Sequence, residues 1–229
     1  MTGRLPDGPV PTLRLAHRGD WRVAPENTLA ALLAAMRVPG CDGVEFDVQL
    51  SADGIPVILH DETLARVQRH PGRVDELTAA ELARLAVPTL AEVLAAIPPP
   101  AFLDVELKGE HHGEATAAVL RAARGEEGSR AVVSSFEAPT LAAMADVLPG
   151  WHRWLNAVDA SPATLSLAIG LGCSGVSVLW GALTPTAIRA ARGAGLEVAA
   201  WTVRRRATFD RLAGLGVAAC CVEAAALDG

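Results

Sequence analysis

Four acidic residues, Glu45, Asp47, Asp104 and Glu106, lie within two largely apolar segments of the sequence. Glu45 and Asp47 alternate with apolar residues in the segment 44–50, and Glu106 does so in the segment 102–107. If both segments are strands, alternation places these carboxylates on equivalent faces of the two strands. Carboxylates held close together repel unless a cation neutralises them, and their oxygens suit Mg²⁺ or Ca²⁺ better than Zn²⁺. The pattern predicts a divalent-cation site.

Histidine and basic side chains follow the same kind of segment. His17 and Arg18 end the first apolar segment, His60 ends a later one, and Lys108 shares a face with Glu106. Taken singly, His17 is more simply a structural histidine and Arg18 a surface ion-pair donor, just as a lone carboxylate is an ion-pair partner. Two histidines beside three carboxylates favour a functional cluster instead.

The composition is that of an ordinary globular protein. The chain has 229 residues, of which 51% are hydrophobic and 20% charged, with a formal net charge of −6. These values exclude disorder, collagen and coiled coil. No segment reaches the roughly 18 apolar residues of a membrane span, and residues 1–11 lack a secretory signal, so a cytoplasmic protein is predicted. The acidic balance argues against a nucleic-acid partner.

Short β-rich segments alternate with Ala- and Leu-rich segments of helical period. The eight predicted strands are Leu13–His17, Val44–Leu50, Phe102–Leu107, Ala131–Phe136, Arg153–Val158, Gly175–Trp180, Glu197–Val203 and Ala218–Val222. The predicted helices are Thr28–Met36, Thr89–Ile97, Glu114–Arg124, Pro139–Leu148, Pro162–Leu171, Pro185–Ala194 and Arg205–Leu215. This count predicts an α/β fold, a (β/α)₈ barrel formed by residues 1–229 as one domain, because an open doubly wound sheet has fewer strands and a Gly-rich phosphate loop.

One pair of segments is too close for a parallel crossover. The pair Asp53-Gly54 separates 44–50 from a second apolar segment, 55–60, which predicts a tight hairpin with Asp47 opposite His60. The following residues, 61–88, form a predicted insertion over the mouth of the barrel, with a helix that begins at the Thr78–Glu81 capping box.

Several motifs run through the chain in a fixed order. They are His17-Arg18-Gly19, Pro25-Glu26-Asn27-Thr28, Val44-Glu45-Phe46-Asp47-Val48, Asp53-Gly54-Ile55-Pro56-Val57 with His60-Asp61, Val105-Glu106-Leu107-Lys108, Ser134-Ser135-Phe136 and Trp201-Thr202-Val203. In this order they resemble the glycerophosphodiester phosphodiesterase family. The family fold, a (β/α)₈ barrel with an insertion after the second strand, agrees with the strand count.

The resemblance implies hydrolysis of a glycerophosphodiester to an alcohol and glycerol 3-phosphate, with Mg²⁺ or Ca²⁺ as cofactor. It implies catalytic roles for His17 and His60. It also implies metal ligation by Glu45, Asp47 and Glu106 and phosphate contacts from Arg18 and Lys108. Trp201 is a candidate for stacking on the substrate as much as for filling the core, and the same holds for Trp21 and Trp180.

Some alternatives stay open at this level. Either histidine can be the acid or the base, and the nucleophile can be water or the neighbouring hydroxyl of the glycerol. The chain departs from the family at Arg204 and in the last strand, 218–225. A lysophospholipase D-like or other phosphodiesterase on the same barrel is one alternative function. A non-catalytic phosphodiester-binding domain is another, which the altered last strand favours.

Overall fold

Eight parallel strands close into a barrel in the computed structural model, which describes residues 11–110 and 112–229. The strands, with one antiparallel strand β3, are β1 (Leu13–His17), β2 (Gly43–Leu50), β3 (Pro56–Ile58), β4 (Phe102–Leu107), β5 (Ala131–Ser135), β6 (His152–Ala157), β7 (Gly175–Leu179), β8 (Glu197–Val203) and β9 (Ala219–Val222). The eight barrel strands pair in parallel with their barrel neighbours, so β2 pairs with β4, and β1 pairs with both β2 and β9. The short strand β3 pairs antiparallel with β2 at the edge. The pairing of β1 with β9 closes the barrel and confirms the predicted fold class.

Helices follow the barrel strands and cover the outside of the sheet. They are α1 (Leu29–Ala35), α2 (Ala79–Ala83), α3 (Leu90–Ala96), α4 (Glu114–Arg124), α5 (Ala138–Val147), α6 (Pro162–Gly170), α7 (Pro185–Gly193) and α8 (Arg206–Gly214). Hydroxyl side chains cap many of them, as Thr28 and Ser161 do at the start of α1 and α6. None of the helices in 11–110 or 112–229 combines the length and apolarity needed to cross a bilayer.

Two apolar layers divide the barrel strands by the alternation of their side chains. Outward residues such as Phe46 and Val105 belong to the large cluster between sheet and helices. Inward residues form a smaller cluster that fills the bottom of the lumen and includes Leu15 and Trp154. Above it the inward positions become polar, because Glu45 and Asp47 share the inward phase of β2. The alternation of side chains along the strands therefore places the charged side chains at the mouth of the barrel.

The hairpin between β2 and β3 differs from the prediction by one residue. Asp47 lies opposite Leu59, whose N–H donates to the Asp47 carbonyl at 3.0 Å, and not opposite His60. The turn has three residues, 52–54, and among them only Gly54 has a left-handed φ, of +74°. A two-residue turn of type I′ would also have required a positive φ at Asp53. The predicted register was wrong, and β3 is shorter than the predicted 55–60.

The insertion packs on this hairpin through an apolar cluster of its own. The cluster joins Val57 and Leu59 to insertion residues Leu64, Val74, Leu82 and Val87. The predicted capping box is present, with the Thr78 hydroxyl accepting from the Glu81 N–H and the Glu81 carboxylate accepting from the Thr78 N–H. Arg66 reaches from the insertion to the mouth, where it donates to Glu26 at 2.7 Å. Residues 1–10, with the predicted lack of a secretory signal, lie outside the described ranges.

Candidate active site

The turn after β1 brings Arg18 over β2. Arg18 and Gly19 both have left-handed backbones, with φ of 59° and 86°, and a Cβ at Gly19 would lie 2.5 Å from the backbone of Ala31. Only glycine fits there. The Arg18 N–H donates to the Glu45 carbonyl at 2.9 Å, and the Arg18 Nε lies 3.0 Å from Asp47 Oδ2. The strained turn therefore holds the guanidinium against the carboxylate cluster.

Glu45, Asp47 and Glu106 form the carboxylate cluster predicted from the sequence. Each offers one carboxylate oxygen within 4.8 Å of the others, and all three are buried. Lys108 and Arg18 are the cations that face them: Lys108 pairs with Glu106 and lies 3.0 Å from Asp47, and Arg18 lies on the other side. Glu45 Oε1 is buried and has no hydrogen-bond partner. A buried, unpartnered oxygen in a set of hard carboxylate ligands fits a divalent cation.

The protein alone leaves this cluster electrostatically unbalanced. Burial, together with the charges of Asp47 and Glu106, raises the pKa of Glu45 well above its ordinary value. Burial also opposes ionisation of Asp47, but Lys108 and Arg18 outweigh it and lower the pKa of Asp47 to about 2. Lys108 and Arg18 therefore balance the charge of Asp47, whereas no group of the protein balances a charge on Glu45 to the same degree. A cation bound between them would supply the missing charge.

His17 is fixed at the mouth by a residue that the sequence interpretation missed. Its Nδ1 lies 2.6 Å from Glu223 Oε1, and its Nε2 faces Glu45 Oε2 at 3.8 Å. Glu223 also accepts from Arg204 Nε at 2.7 Å. A carboxylate accepts from Nδ1–H, which leaves Nε2 as the nitrogen that exchanges a proton on the cavity side. The Glu223 pKa is lowered, because His17 and Arg204 outweigh the cost of its burial.

His60 has an equivalent carboxylate partner. Its Nδ1 lies 2.6 Å from Asp61 Oδ1, and Arg66 binds the same carboxylate through Oδ2 at 2.6 Å. Burial lowers the pKa of His60, although the charge of Asp47 acts in the opposite direction. Although the hairpin register differs from the prediction, His60 still lines the same cavity as His17, because the strand ends at Ile58 and the chain turns before His60.

Most of these groups line one cavity of about 500 Å³, although Asp47 and Asp61 lie behind its wall. Its wall carries both histidines, Glu45, Glu106, Arg18 and Lys108 on one side and the aromatic residues Trp21, Phe136 and Trp201 elsewhere. Trp201 donates from Nε1 to the Ser177 carbonyl at 2.9 Å and packs edge-to-face on Phe136 with ring centroids 5.5 Å apart. Trp201 therefore forms part of the cavity wall, and its role in substrate binding stays a prediction. Trp180 is exposed and does not line the cavity.

Besides Glu223, the sequence interpretation gave no role to Asn27. Asn27 Nδ2 donates to Asp47 Oδ2 at 2.7 Å, and Glu223 binds His17. Glu223 could have been found, because it continues the inward phase of β9 beyond Cys221 and follows the last strand directly. Asn27 is part of the motif Pro25-Glu26-Asn27-Thr28 that carries the family resemblance, but strand phase alone does not show that this left-handed residue before α1 reaches β2.

A closed barrel with charged residues at the carboxyl ends of its strands places this chain among the (β/α)₈-barrel enzymes, whose active sites lie at this end. More closely, the chain belongs to the Glycerophosphoryl diester phosphodiesterase family, whose model matches residues 17–226. A glycerophosphodiester phosphodiesterase from Caldanaerobacter subterraneus is 30% identical over 225 residues, 90% of this chain and 91% of that protein. The chain is accordingly a phosphoric diester hydrolase.

Solved structures agree with this family membership. A phosphodiesterase from Oleispira antarctica, in complex with the product sn-glycerol-3-phosphate, superposes with a TM-score of 0.80 at 29% identity over 93% of both chains. A glycerophosphodiester phosphodiesterase from Agrobacterium tumefaciens superposes with a TM-score of 0.79 at 26% identity over 94% of this chain and 98% of that one. The human glycerophosphodiester phosphodiesterase 1 is 45% identical over 71 residues, 31% of this chain and 21% of that protein.

Proposed function

We propose that this enzyme hydrolyses a glycerophosphodiester to an alcohol and glycerol 3-phosphate by acid–base catalysis between His17 and His60. The observation that carries the proposal is that each histidine has its Nδ1 bound to a carboxylate and lines the cavity that contains the carboxylate cluster. One histidine removes the proton of the nucleophile at Nε2, and the other donates a proton from Nε2 to the departing oxygen.

Glu45, Asp47 and Glu106 are the residues that would hold a divalent cation, Mg²⁺ or Ca²⁺. When bound, the cation supplies positive charge to the phosphoryl oxygens, which a stable phosphodiester anion needs before a nucleophile can approach. Arg18 and Lys108 line the same cavity and contribute positive charge of their own. We propose that both contact the phosphate and that Trp201 contacts the organic part of the substrate.

The partner is accordingly a small-molecule phosphodiester. We propose that the chain acts on it as a single domain, with 61–88 as a small insertion within it. The acidic composition supports the absence of a nucleic-acid partner, and the cytoplasmic location stays a prediction.

The test is an assay of glycerophosphocholine, glycerophosphoethanolamine and glycerophosphoglycerol before and after chelation. We expect turnover to stop on chelation and to return when Mg²⁺ or Ca²⁺ is added. Full turnover in protein shown by elemental analysis to be metal-free would contradict the metal requirement. Tight binding of a phosphodiester without turnover under any metal would instead support the alternative of a non-catalytic binding domain.

A further inference from the structure

Four cationic side chains line the cavity, and one of them differs from the others in its partners. They are Arg18, Arg66, Lys108 and Arg204. Each of the first three is paired with at least two carboxylates of the protein. Arg204 has a single carboxylate partner, Glu223. The charge of Arg204 is therefore the least compensated of the four.

The Arg204 guanidinium uses only one edge to bind Glu223. Its Nε donates to Glu223 Oε2 at 2.7 Å, and its Nη groups have no hydrogen-bond partner among the described residues. The side chain is 67% exposed although it lines the cavity. The edge formed by the two Nη groups has the geometry that binds two oxygens of a phosphate at once. An oxyanion can therefore bind Arg204 without breaking its bond to Glu223.

The reacting phosphodiester does not account for this guanidinium. In the proposed function the phosphodiester lies on the Nε2 side of His17, the side that faces Glu45. Arg204 lies on the Nδ1 side, where Glu223 bridges it to the imidazole. The imidazole and the Glu223 carboxylate therefore separate Arg204 from the carboxylate cluster. An anion bound at Arg204 has to belong to another part of the substrate, several bonds away from the reacting phosphorus.

The residues that follow Arg204 add positive charge to the same corner of the mouth. Arg205 and Arg206 are both exposed, and none of the ion pairs among the described residues involves either of them. The whole chain, in contrast, has a formal net charge of −6. A positive corner on an acidic protein attracts anions locally.

We infer that Arg204 binds a second phosphate on the head group, so that the substrate class includes glycerophosphodiesters whose alcohol carries a phosphate monoester. This inference rests on the proposed function, because that function places the diester phosphorus at the carboxylate cluster. A phosphate monoester fits the paired Nη donors, whereas the guanidinium repels a cationic head group. The head group has to be long enough to pass His17 and Glu223, as the phosphate ester of a polyol is.

The reaction at the diester is unchanged by the second phosphate. The oxygen of one water molecule forms a bond to the diester phosphorus, and the bond from that phosphorus to the head-group oxygen breaks. One proton of the water ends on the departing alcohol oxygen, and the other leaves with the phosphate product. The products are glycerol 3-phosphate and the alcohol phosphate, whose monoester bond stays intact.

The experiment compares kcat/KM for glycerophosphoinositol and glycerophosphoinositol 4-phosphate, which differ by one phosphate, with Mg²⁺ or Ca²⁺ present. We expect the wild type to prefer the phosphorylated substrate by about tenfold, the effect of hydrogen bonds between an exposed cation and an anion. Arg204→Gln should reduce this ratio to about one. The ratio is the readout because the loss of Arg204 also affects Glu223 and lowers both rates together.

Two further variants separate a contact from a general effect of charge. Arg204→Lys keeps the charge but not the paired donors, and it should retain only part of the preference. The matched control, Arg205→Gln, removes the same charge from an exposed neighbour that does not line the cavity, and it should keep the full preference. Thermal melting of all three variants verifies that they fold.

Each outcome decides a different point. Equal kcat/KM for the two substrates in the wild type would overturn the second phosphate site and leave the proposed function standing. A preference that survives in Arg204→Gln would overturn the assignment to Arg204. An equal loss of preference in Arg205→Gln would overturn the contact and indicate long-range attraction by the three arginines. No hydrolysis of these substrates or of glycerophosphocholine would overturn the proposed function itself.

Discussion

The two halves of the barrel mouth are both formed by inward-facing positions of the barrel strands, but the side chains at those positions differ. From β9 through β1 and β2 to β4, the inward positions at the mouth carry Glu223, His17, Asp47, Glu106 and Lys108, the charged half. From β5 to β8 they carry Phe136, Val158, Leu179 and Trp201, the apolar half of the mouth. The charged half holds its residues through ion pairs of 2.6–3.0 Å, whereas the apolar half has the ring contact of Phe136 with Trp201 and a hydrogen bond from Trp201 to the Ser177 carbonyl. We propose that chemistry and recognition are divided between these two arcs of the barrel.

The largest effect should come from the histidines of the charged half. His17→Ala or His60→Ala should lower kcat by roughly 10²–10⁴-fold with little change in melting temperature, because each removes a proton-transfer group. The double variant should be little worse than either single one, since both groups serve one reaction. On the opposite arc, Trp201→Ala should raise KM more than it lowers kcat. Steady-state kinetics check this, and a large kcat loss in Trp201→Ala would break the division between the halves.

The next effect concerns the cation. Glu45→Gln removes the carboxylate whose pKa burial raises, and we expect it to weaken Mg²⁺ or Ca²⁺ binding by about 100-fold. The metal-free variant should melt at a higher temperature than the metal-free wild type, because one of three crowded like charges is gone. Isothermal titration and thermal melting measure the two quantities. Unchanged cation affinity would remove Glu45 from the site.

A smaller effect should follow from the partner of His17. Glu223→Gln offers both an amide oxygen and an amide NH₂ to Nδ1, so the tautomer is no longer fixed, and kcat should fall by about 10–100-fold. Glu223→Asp keeps the carboxylate and should recover part of the rate. KM should change little in both variants. If the two variants lose the same activity, Glu223 serves the fold through Arg204 and not the orientation of His17.

The smallest effect lies one layer below the charged half, at Asp104. Burial raises its pKa to about 7, and a hydrogen bond from Ser134 at 2.6 Å opposes that rise. Because the folded protein holds this proton more tightly than the unfolded chain, the stabilisation is complete below about pH 4 and is lost as the pH rises through about 7. The unfolding free energy of Asp104→Asn should therefore exceed that of the metal-free wild type by an amount that grows by roughly 1–3 kcal/mol from pH 5 to pH 8. A difference in unfolding free energy that stays constant with pH would show that Asp104 does not titrate there.

Much of the charged half could be predicted from the sequence because it depends on strand phase alone. Glu45, Asp47 and Glu106 lie within strands, so a period of two was enough to bring them together. Glu223 was missed because the altered last strand was interpreted as a departure and its phase was not continued past Val222. The predicted strands already included Phe136 and Val158, but an apolar residue in a strand is ordinary and gave no signal of a position at the mouth.

The register of the hairpin could not be predicted from the same information. Asp53-Gly54 is compatible with a two-residue turn and with a three-residue turn that ends in a left-handed glycine. The two differ by one residue, which reverses the facing of every side chain in β3. What selects the longer turn is tertiary: Asp53 accepts from the Ala79 N–H of the insertion at 2.9 Å, and the Ala52 N–H donates to the Leu77 carbonyl at 2.9 Å.

The pairing of β1 with β9 also bears on when during protein synthesis activity can first arise. His17 is translated near the start of the barrel, yet its carboxylate partner, Glu223, follows the final strand of the barrel. The sheet can grow strand by strand, but its seam runs through the charged half. A nascent chain that stops before β9 would have the carboxylates of β2 and β4 and the imidazole of His60 in place, but no carboxylate partner for the imidazole of His17. Catalytic competence should therefore arise only when β9 pairs with β1, after most of the helices and strands have formed.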